Sequence, residues 1–597
     1  MLASACFSGA LRRRSLCLGA LALFSLTACG NNTAELPKTP VTAEAAPTLK
    51  TADWAAFRER FQEDSFAANP GFAVSQGRHE FDGKLPDWSA QAIAVEVARL
   101  DAARTKAAAF SDELLSADER FERDYLLATI DGTLFWLRDA ETPFRNPGFY
   151  LSTSGLDPST YLTRPYAPIE VRLKAFTAYL KAVPAAVAQI RANLRSPMPK
   201  TFVTLGINGF GGFPDFFRQQ VPPIFADVKD PALQADFKAA LEPAAKSLEA
   251  LTAWLKSEQP KANDDYALGT ERFTKMLLAT ERVATPLKDL EAVGQADLQR
   301  NLAALKVACA QYAPKATLHA CMDKVNADKP KGGAVEGARA QLDSLRQFVI
   351  DKQLVTIPSD EKALVAEAPP YQRWNFAYID IPGPYDKGMP STYYIAPPDP
   401  TWPKKEQFDY VPGQAVLLFT SAHEVWPGHF LQFLHSNRSP SKFGQLFVGY
   451  AFAEGWAHYT EEMMYDAGLG EGKPQERAMY KIGQLSEALL RNVRFICAIG
   501  LHTQGMSVQT CETLFVEDGF QDAGNARQQA ARGTYDPAYL NYTMGKLMIM
   551  KLREDWTKTH GGREGWHAFH DQFLSYGGPP IPLVRQQMLG TNDGSLF

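Results

Sequence analysis

Four of the ten histidines lie between positions 423 and 458, and two glutamates lie among them. His423 is followed directly by Glu424, and the next histidine along the chain is His429. This order is similar to the His-Glu-x-x-His zinc motif, in which the glutamate is a general base, but it contains two additional residues. A catalytic zinc commonly takes two histidines and one carboxylate and keeps one position open. The sequence therefore predicts a Zn²⁺ site with His423 and His429 as ligands.

The two additional residues require a break in the helix that carries the motif. On an ideal helix this spacing turns the second histidine about 120° away from the first. Pro427 and Gly428 can supply the break, because proline lacks the N–H that would bond the His423 carbonyl and glycine permits unusual backbone angles. We therefore expect a bulge that returns His429 to the ligand position.

The third ligand is expected from a segment further along the chain. Glu454 lies on a stretch with helical periodicity, and Glu461 falls two turns later on the same face. There Glu461 can hold a ligand histidine through a hydrogen bond. His458 lies on this face as well and is a rival ligand. We rank His458 below Glu454 and expect it to support a ligand or to face the substrate.

Both segments resemble the signatures of a known family. His423–Gln432 and Glu454–Glu461 are similar to motifs of the domain of unknown function 885 family, which are bacterial and often lipid-anchored proteins of the gluzincin-like metallopeptidase group. The likeness continues through residues 491–502 and 537–553, and it extends more faintly into the N-terminal half. Membership implies a mostly α-helical body with a deep cleft and zinc at its floor.

The chemistry of peptide hydrolysis suggests roles for further residues. Glu424 would take a proton from water and pass it to the leaving amine. Tyr542 and His502, both in segments that resemble the family, are candidate donors to the oxyanion, and a packed, hydrogen-bonded core role is the alternative for each. Three cations are candidates to bind the terminal carboxylate of a substrate, unless they pair with local carboxylates: Arg491, Arg494 and Lys546.

Most of the chain has helical periodicity. Short apolar and β-branched runs at Ala377–Ile381 and Ser391–Ile395 predict strands, and the second run is a candidate to lie along an extended peptide. The glycine-rich segment Gly206–Gly212 is interpreted as a tight loop. Apolar residues at three- and four-residue spacing predict helices over five long segments: Ala92–Phe110, Ala117–Leu137, Ile169–Leu194, Ala232–Leu255 and Thr270–Ala308.

These patterns predict a mostly α fold. With the resemblance, which implies a metallopeptidase-like body with a deep cleft, we expect a large multi-helix body with a small β element. We expect an N-terminal helical region over residues 50–360 and a catalytic zinc-binding region over residues 361–597, packed together as one body.

The N-terminus is predicted to be a targeting segment. Three arginines at 12–14 precede a short apolar run that ends at Cys29, as in a bacterial lipoprotein signal peptide. Residues 1–28 would be removed, Cys29 would carry the lipid, and residues 29–49 would form a tether. We therefore expect a lipid-anchored protein of the bacterial cell envelope that faces the periplasm, with the outer membrane slightly favoured. In this oxidising compartment two local cysteine pairs are candidate disulfides: Cys309 with Cys321, and Cys497 with Cys511.

The composition of the chain excludes some classes of function. The 597 residues are 45% hydrophobic and 22% charged, which is typical of a globular protein, and the formal net charge of −5 gives no basic excess for nucleic-acid binding. We predict zinc-dependent hydrolysis of short peptides by a carboxypeptidase or oligopeptidase; an aminopeptidase and hydrolysis of a non-peptide amide stay open. The alternative is a non-catalytic peptide- or metal-binding lipoprotein. The sequence makes no prediction of the oligomeric state.

Overall fold

Helices with one buried apolar face make up most of the molecule. The computed structural model describes residues 51–597 except positions 153, 374 and 592–594. Helices account for 70% of it and strands for 3%, which confirms the predicted mostly α class with a small β element. The predicted signal peptide, Cys29 and the tether lie outside the described residues.

The first part of the described chain is entirely helical, and all five predicted helical segments are present. The segment predicted over Thr270–Ala308 is two helices, of which the first ends at Glu281 and the second begins directly after Pro286. The helices are α1 (Thr51–Ala68), α2 (Pro70–Ser75), α3 (Ala90–Ala108), α4 (Ala117–Leu134), α5 (Thr142–Arg145), α6 (Ser159–Thr163), α7 (Ile169–Asn193), α8 (Lys200–Asp215), α9 (Val221–Ile224), α10 (Pro231–Glu258), α11 (Thr270–Glu281), α12 (Leu287–Tyr312), α13 (Leu318–Asn326) and α14 (Ala334–Asp351).

The glycine-rich segment was predicted to be a loop, and this prediction is wrong. Residues 206–212 belong to helix α8. Its glycines allow neighbouring groups to approach the helix closely. A Cβ on Gly209 would lie 2.3 Å from Leu151 Cδ1, and one on Gly206 would lie 2.9 Å from Leu255 Cδ1. The segment is glycine-rich because of packing, and the helix survives because neighbouring elements bury its apolar face.

The predicted β element is a three-stranded sheet in the middle of the chain. It consists of β1 (Ala363–Glu367), β2 (Ala377–Asp380) and β3 (Ser391–Ile395). The order is β1-β3-β2, with β1 parallel and β2 antiparallel to β3. Both predicted strands are present, and β1 was not predicted. The central strand is β3, so both of its edges are already paired.

Eleven further helices follow the sheet within the described residues. They are α15 (Lys404–Tyr410), α16 (Gln414–Glu424), α17 (His429–Ser436), α18 (Lys442–Leu446), α19 (Tyr450–Asp466), α20 (Pro474–Thr503), α21 (Val508–Glu517), α22 (Ala523–Tyr535), α23 (Asn541–Thr557), α24 (Trp566–Ser575) and α25 (Ile581–Leu589). None of the described helices is long and apolar enough to cross a membrane.

The largest apolar core forms around the helices that follow the sheet. Helix α19 packs against α23 and α16, and α20 packs against α12 and α16. Both predicted cysteine pairs are disulfides in the structure. Cys309–Cys321 joins α12 to α13, and Cys497–Cys511 joins α20 to α21.

Two glycines set the close approach of α19 to α23. A Cβ on Gly455 would lie 2.5 Å from Gly545 Cα and 2.6 Å from its carbonyl carbon. A Cβ on Gly545 would likewise lie 2.1 Å from the Ala451 carbonyl oxygen. Since these are backbone atoms, they cannot swing aside as a flexible side chain could. The helices therefore touch backbone to backbone at this crossing, next to Glu454.

The glycine contact predicts that Gly455→Ala destabilises the fold. The added methyl group must push α19 away from α23, and overpacking of this kind costs about 1–3 kcal/mol. We expect a lower free energy of unfolding in denaturant titrations. The matched control is Gly211→Ala on the exposed face of α8, where the added Cβ meets Thr252 Cγ2 at 3.4 Å. Helix propensity makes this change neutral or stabilising by up to about 1 kcal/mol. Equal stability of the two variants would contradict the prediction.

Candidate metal centre

A break between two helices positions the first histidines of the site. Helix α16 ends at Glu424 and α17 begins at His429, so the predicted break is present. Within the break the Gly428 N–H donates to the Ala422 carbonyl oxygen over 2.9 Å. A Cβ on Gly428 would lie only 1.7 Å from the His423 carbonyl oxygen, so no other residue fits this path. The Trp456 indole N–H donates to the Pro427 carbonyl oxygen over 2.9 Å and ties the break to α19.

Three predicted ligands meet at one point. His423 Nε2 lies 3.2 Å from Glu454 Oε2, and His429 Nε2 lies 3.1 Å from the same oxygen. One ligand atom from each residue lies within 4.8 Å of the other two. The imidazole rings are almost perpendicular, with centroids 4.8 Å apart. Two nitrogens and one carboxylate oxygen thus converge from α16, α17 and α19, which is the donor set that a catalytic zinc commonly takes.

Glu461 supports the cluster from behind. Its Oε1 lies 2.7 Å from His423 Nδ1, and its Oε2 lies 3.1 Å from His458 Nδ1. A carboxylate at Nδ1 favours the tautomer with hydrogen on that nitrogen, which leaves the Nε2 lone pair of His423 facing Glu454. Arg491 also approaches Glu461 Oε1, at 3.4 Å. The structure thus puts Glu461 where it was expected, and His458 beside Glu461 and outside the ligand cluster.

The charges of the cluster fit a divalent cation. Burial, together with the positive charge of Arg491, lowers the pKa of His423, so this ring is neutral. Burial opposes a charge on His429, but Glu454 outweighs it and raises the pKa of His429. Burial likewise opposes a charge on Glu454, yet His429 and His423 together lower its pKa. The carboxylate is therefore ionised and holds a proton on the neighbouring imidazole, a place that a metal ion can take.

Glu424 lies beside the cluster with a free oxygen. Its side chain faces the same cavity as the three predicted ligands, and the residue is 7% exposed. The buried Oε2 atom has no hydrogen-bond partner among the described residues. Burial raises the pKa of Glu424 to about 7. A carboxylate with such a pKa can both accept and return a proton near neutral pH, as a general base requires.

A large cavity opens onto these residues. Its volume is about 1100 Å³, and its wall includes the three ligands and Glu424. Residues 375–381, which contain strand β2, form another part of the wall. Tyr542 on α23 also lines it, with its ring 6.1 Å from the His423 ring and tilted by 17°. The Tyr542 hydroxyl accepts a hydrogen bond from Arg532 Nη2 over 3.3 Å.

Of the predicted oxyanion donors and carboxylate-binding cations, two do not line the cavity. His502 Nε2 lies 2.7 Å from the Gly533 carbonyl oxygen, and its Nδ1 accepts from the Leu268 N–H over 3.3 Å. Because both ring nitrogens bind backbone groups, His502 has no free donor for an oxyanion. Lys546 is 0% exposed and lies 2.5 Å from Glu462 Oε2. Its charge is thus spent on an internal ion pair, as the alternative interpretation expected.

The two remaining predicted cations do reach the cavity, but they differ. Arg491 forms ion pairs with Glu487 and Glu461. Arg494 binds Gln529 and lies over the Tyr542 ring. Arg532 and Gln529 were not predicted as site residues. Both lie buried on α22, three positions apart and therefore on one face. Their burial follows from the packing of α22 and had no signal in the sequence.

Comparison with known proteins shows the fold and the family. A putative lipoprotein of unknown function from Shewanella oneidensis is 25% identical, with a TM-score of 0.71 over 90% of this chain and 99% of that one. A putative lipoprotein from Colwellia psychrerythraea is 16% identical, with a TM-score of 0.75 over 91% of this chain and 99% of that one. No curated protein matches the chain. Residues 70–588 match the family described as "Bacterial protein of unknown function (DUF885)", and the chain therefore belongs to this family.

Proposed function

We propose that the protein hydrolyses peptide bonds in short peptides and that the reaction depends on Zn²⁺. One observation carries the proposal. His423, His429 and Glu454 converge on the wall of a cavity in which Glu424 presents an unpartnered, buried carboxylate oxygen. A site that only binds peptide or metal has no need of such a base. Two imidazoles and one carboxylate favour zinc over magnesium or calcium and support the gluzincin-like grouping.

The residues around the cluster suggest a separate role for each in the proposed reaction. The chemistry that zinc supplies when bound is polarisation of the scissile carbonyl and a lower pKa for water. Glu424 takes the proton of the attacking water and returns it to the leaving amine. Glu461 fixes the orientation of His423. Tyr542 donates its hydroxyl hydrogen to the developing oxyanion, since Arg532 already occupies the phenol oxygen as a donor.

The sheet offers a surface for an extended substrate. Strand β3 cannot accept a peptide, because β1 and β2 pair with its two edges. Among the described residues, strand β2 pairs only with β3, and the residues of β2 line the cavity. A peptide can therefore add to the outer edge of β2 through main-chain hydrogen bonds. The enclosing helices favour short, flexible peptides over folded proteins.

The proposed reaction takes place at the cell envelope. Cys29 follows a sequence typical of lipoprotein signal peptides. The related structures from Shewanella oneidensis and Colwellia psychrerythraea are described as putative lipoproteins. Lipid on Cys29 would hold the enzyme at the membrane, with the outer membrane favoured and the catalytic body facing the periplasm. The substrates are then short peptides of that compartment, and nucleic acid is not a partner.

The first prediction concerns the metal. The full chain, purified in detergent, is expected to contain about one zinc per molecule, as determined by inductively coupled plasma mass spectrometry. His429→Ala removes one of three protein ligands and should lose most of this zinc. His567→Ala is the matched control, because the His567 side chain is 44% exposed and lies on α24. Zinc retained by His429→Ala, or no zinc in the wild type after it is offered, would contradict the metal site.

The second prediction concerns the base. Glu424→Gln keeps the size of the side chain but cannot accept a proton, so peptide hydrolysis should fall by about 10²–10⁴-fold while zinc stays bound. The measurement is the release of new amino groups from a library of unblocked tri- to hexapeptides. Glu271→Gln, at an exposed position in the first turn of α11, is the control and should hydrolyse the library like the wild type.

The outcomes of this experiment separate the two candidate functions. Hydrolysis by the wild type that is lost in Glu424→Gln supports a peptidase. Peptide binding without hydrolysis in either protein supports the alternative, a non-catalytic binding lipoprotein. Equal hydrolysis by wild type and Glu424→Gln would remove Glu424 from the mechanism.

A further inference from the structure

Four buried arginines line the cavity, and they differ in how their charges are compensated. Arg164 is paired with Asp380 and Asp386. Arg491 is paired with Glu487 and Glu461. Arg532 is paired with Asp536, whose Oδ2 accepts from Arg532 Nε over 3.0 Å. Arg494 has no carboxylate within ion-pair distance among the residues that the structure describes. Arg494 is therefore the cation on this wall whose charge is left for a ligand.

The guanidinium of Arg494 is held in one orientation. Arg494 is 3% exposed, and its Nε donates to Gln529 Oε1 over 2.9 Å. Gln529 is 2% exposed and donates in turn to Asn525 Oδ1 over 3.3 Å. On its other side the guanidinium lies over the Tyr542 ring, 4.6 Å from the centroid. These contacts use the Nε–H and one face, and the two Nη groups form no hydrogen bond with any described residue.

Such an arrangement is costly unless a ligand completes it. A buried charge without a counter-ion loses its hydration and gains nothing in return. The planar guanidinium offers parallel N–H donors that match the two oxygens of a carboxylate. A single uncompensated cation suits a monoanion. A phosphate dianion would require more positive charge than this wall leaves free.

We propose that Arg494 binds the free C-terminal carboxylate of a short peptide substrate, with Gln529 as the residue that positions its guanidinium. This inference rests on the proposed function for its substrate class. Of the three cations predicted from the sequence, it retains Arg494 and excludes Lys546, which is sealed in an ion pair, and Arg491, which two carboxylates occupy.

The location of Arg494 determines near which end of the peptide the bond is cleaved. The ring of Tyr542 lies next to both the metal cluster, at 6.1 Å from the His423 ring, and Arg494, at 4.6 Å from its Cζ. The carboxylate site is therefore one side chain away from the cluster. A peptide held there presents a bond near its C-terminus to Glu424, so the enzyme acts as a carboxypeptidase rather than an aminopeptidase.

The test compares two probes that differ by one charge. Tri-alanine with a free carboxylate and tri-alanine amide are titrated by calorimetry into the full-length Glu424→Gln protein, in which the peptide is not consumed. The free acid is expected to bind at least about tenfold more tightly than the amide, because an ionic hydrogen bond to buried arginine is lost in the amide. In the Glu424→Gln/Arg494→Gln double variant this preference should fall to nearly one.

Two further variants keep the outcome interpretable. Arg477→Gln lies on the same helix, away from the cavity, and should keep the full preference for the free acid. Zinc content and far-ultraviolet circular dichroism show whether Arg494→Gln folds. If it does not, Arg494→Lys takes its place, because it retains the charge and should show a reduced preference for the free acid. Equal affinity for the two probes, no binding of the free acid, or a preference unchanged in folded Arg494→Gln would overturn the inference.

Failure of the inference differs from failure of the proposed function. Hydrolysis of the peptide library without discrimination between acid and amide leaves the peptidase standing and removes Arg494 as the carboxylate site. Discrimination that depends on Arg494, without hydrolysis by the wild type, leaves the carboxylate site standing and removes the peptidase.

Discussion

The carboxylate of Glu461 is the contact on which the candidate site depends. It is completely buried and contacts His423 from α16, His458 from its own helix α19, and Arg491 from α20. Three helices are thus held in register by one buried carboxyl group whose polar atoms could not be buried without these partners. The direction of the His423 ring, and with it the convergence on Glu454, follows from this register. The site is a consequence of how buried charges compensate one another between helices.

Glycine makes this convergence sterically possible at two places. Gly455 lets α19 touch the backbone of α23 at Gly545, which brings the helix of Glu454 and the helix of Tyr542 together. Gly428 lets the chain fold back over the His423 carbonyl between α16 and α17. A side chain at either position would separate elements that must meet within a few ångströms. Close backbone packing, rather than loop flexibility, is therefore the role of these glycines in the site.

Local sequence patterns predicted the helices and strands better than they predicted the contacts between distant residues. Periodicity predicted the five long helical segments and two strands, and the Pro427-Gly428 pair predicted the break between two helices. Each of these features depends on residues that are close along the chain. The glycine-rich part of α8 was misinterpreted, since the packing that requires those glycines comes from distant residues such as Leu151. The contacts of His502 with Gly533 and of Lys546 with Glu462 were likewise not predictable, because the partners lie far apart in sequence. The proximity of His423 and His429 was predictable because the motif spacing and the Pro427-Gly428 break encode it, and helical periodicity indicated the face that carries Glu454.

Two groups in the cavity are left for a ligand to complete, and they lie on either side of Tyr542. The cluster around Glu454 carries an ionised carboxylate and accommodates a cation, whereas Arg494 carries a positive charge and accommodates an anion. Elsewhere on the same wall, Arg491 and Arg532 have carboxylate partners. A fold that pairs its other buried arginines so consistently would lose stability by leaving these two groups open without a ligand for them. A metal ion in place of the proton on His429 and a peptide terminus at Arg494 would complete both groups, and this is the strongest physical argument for zinc and peptide in the cavity.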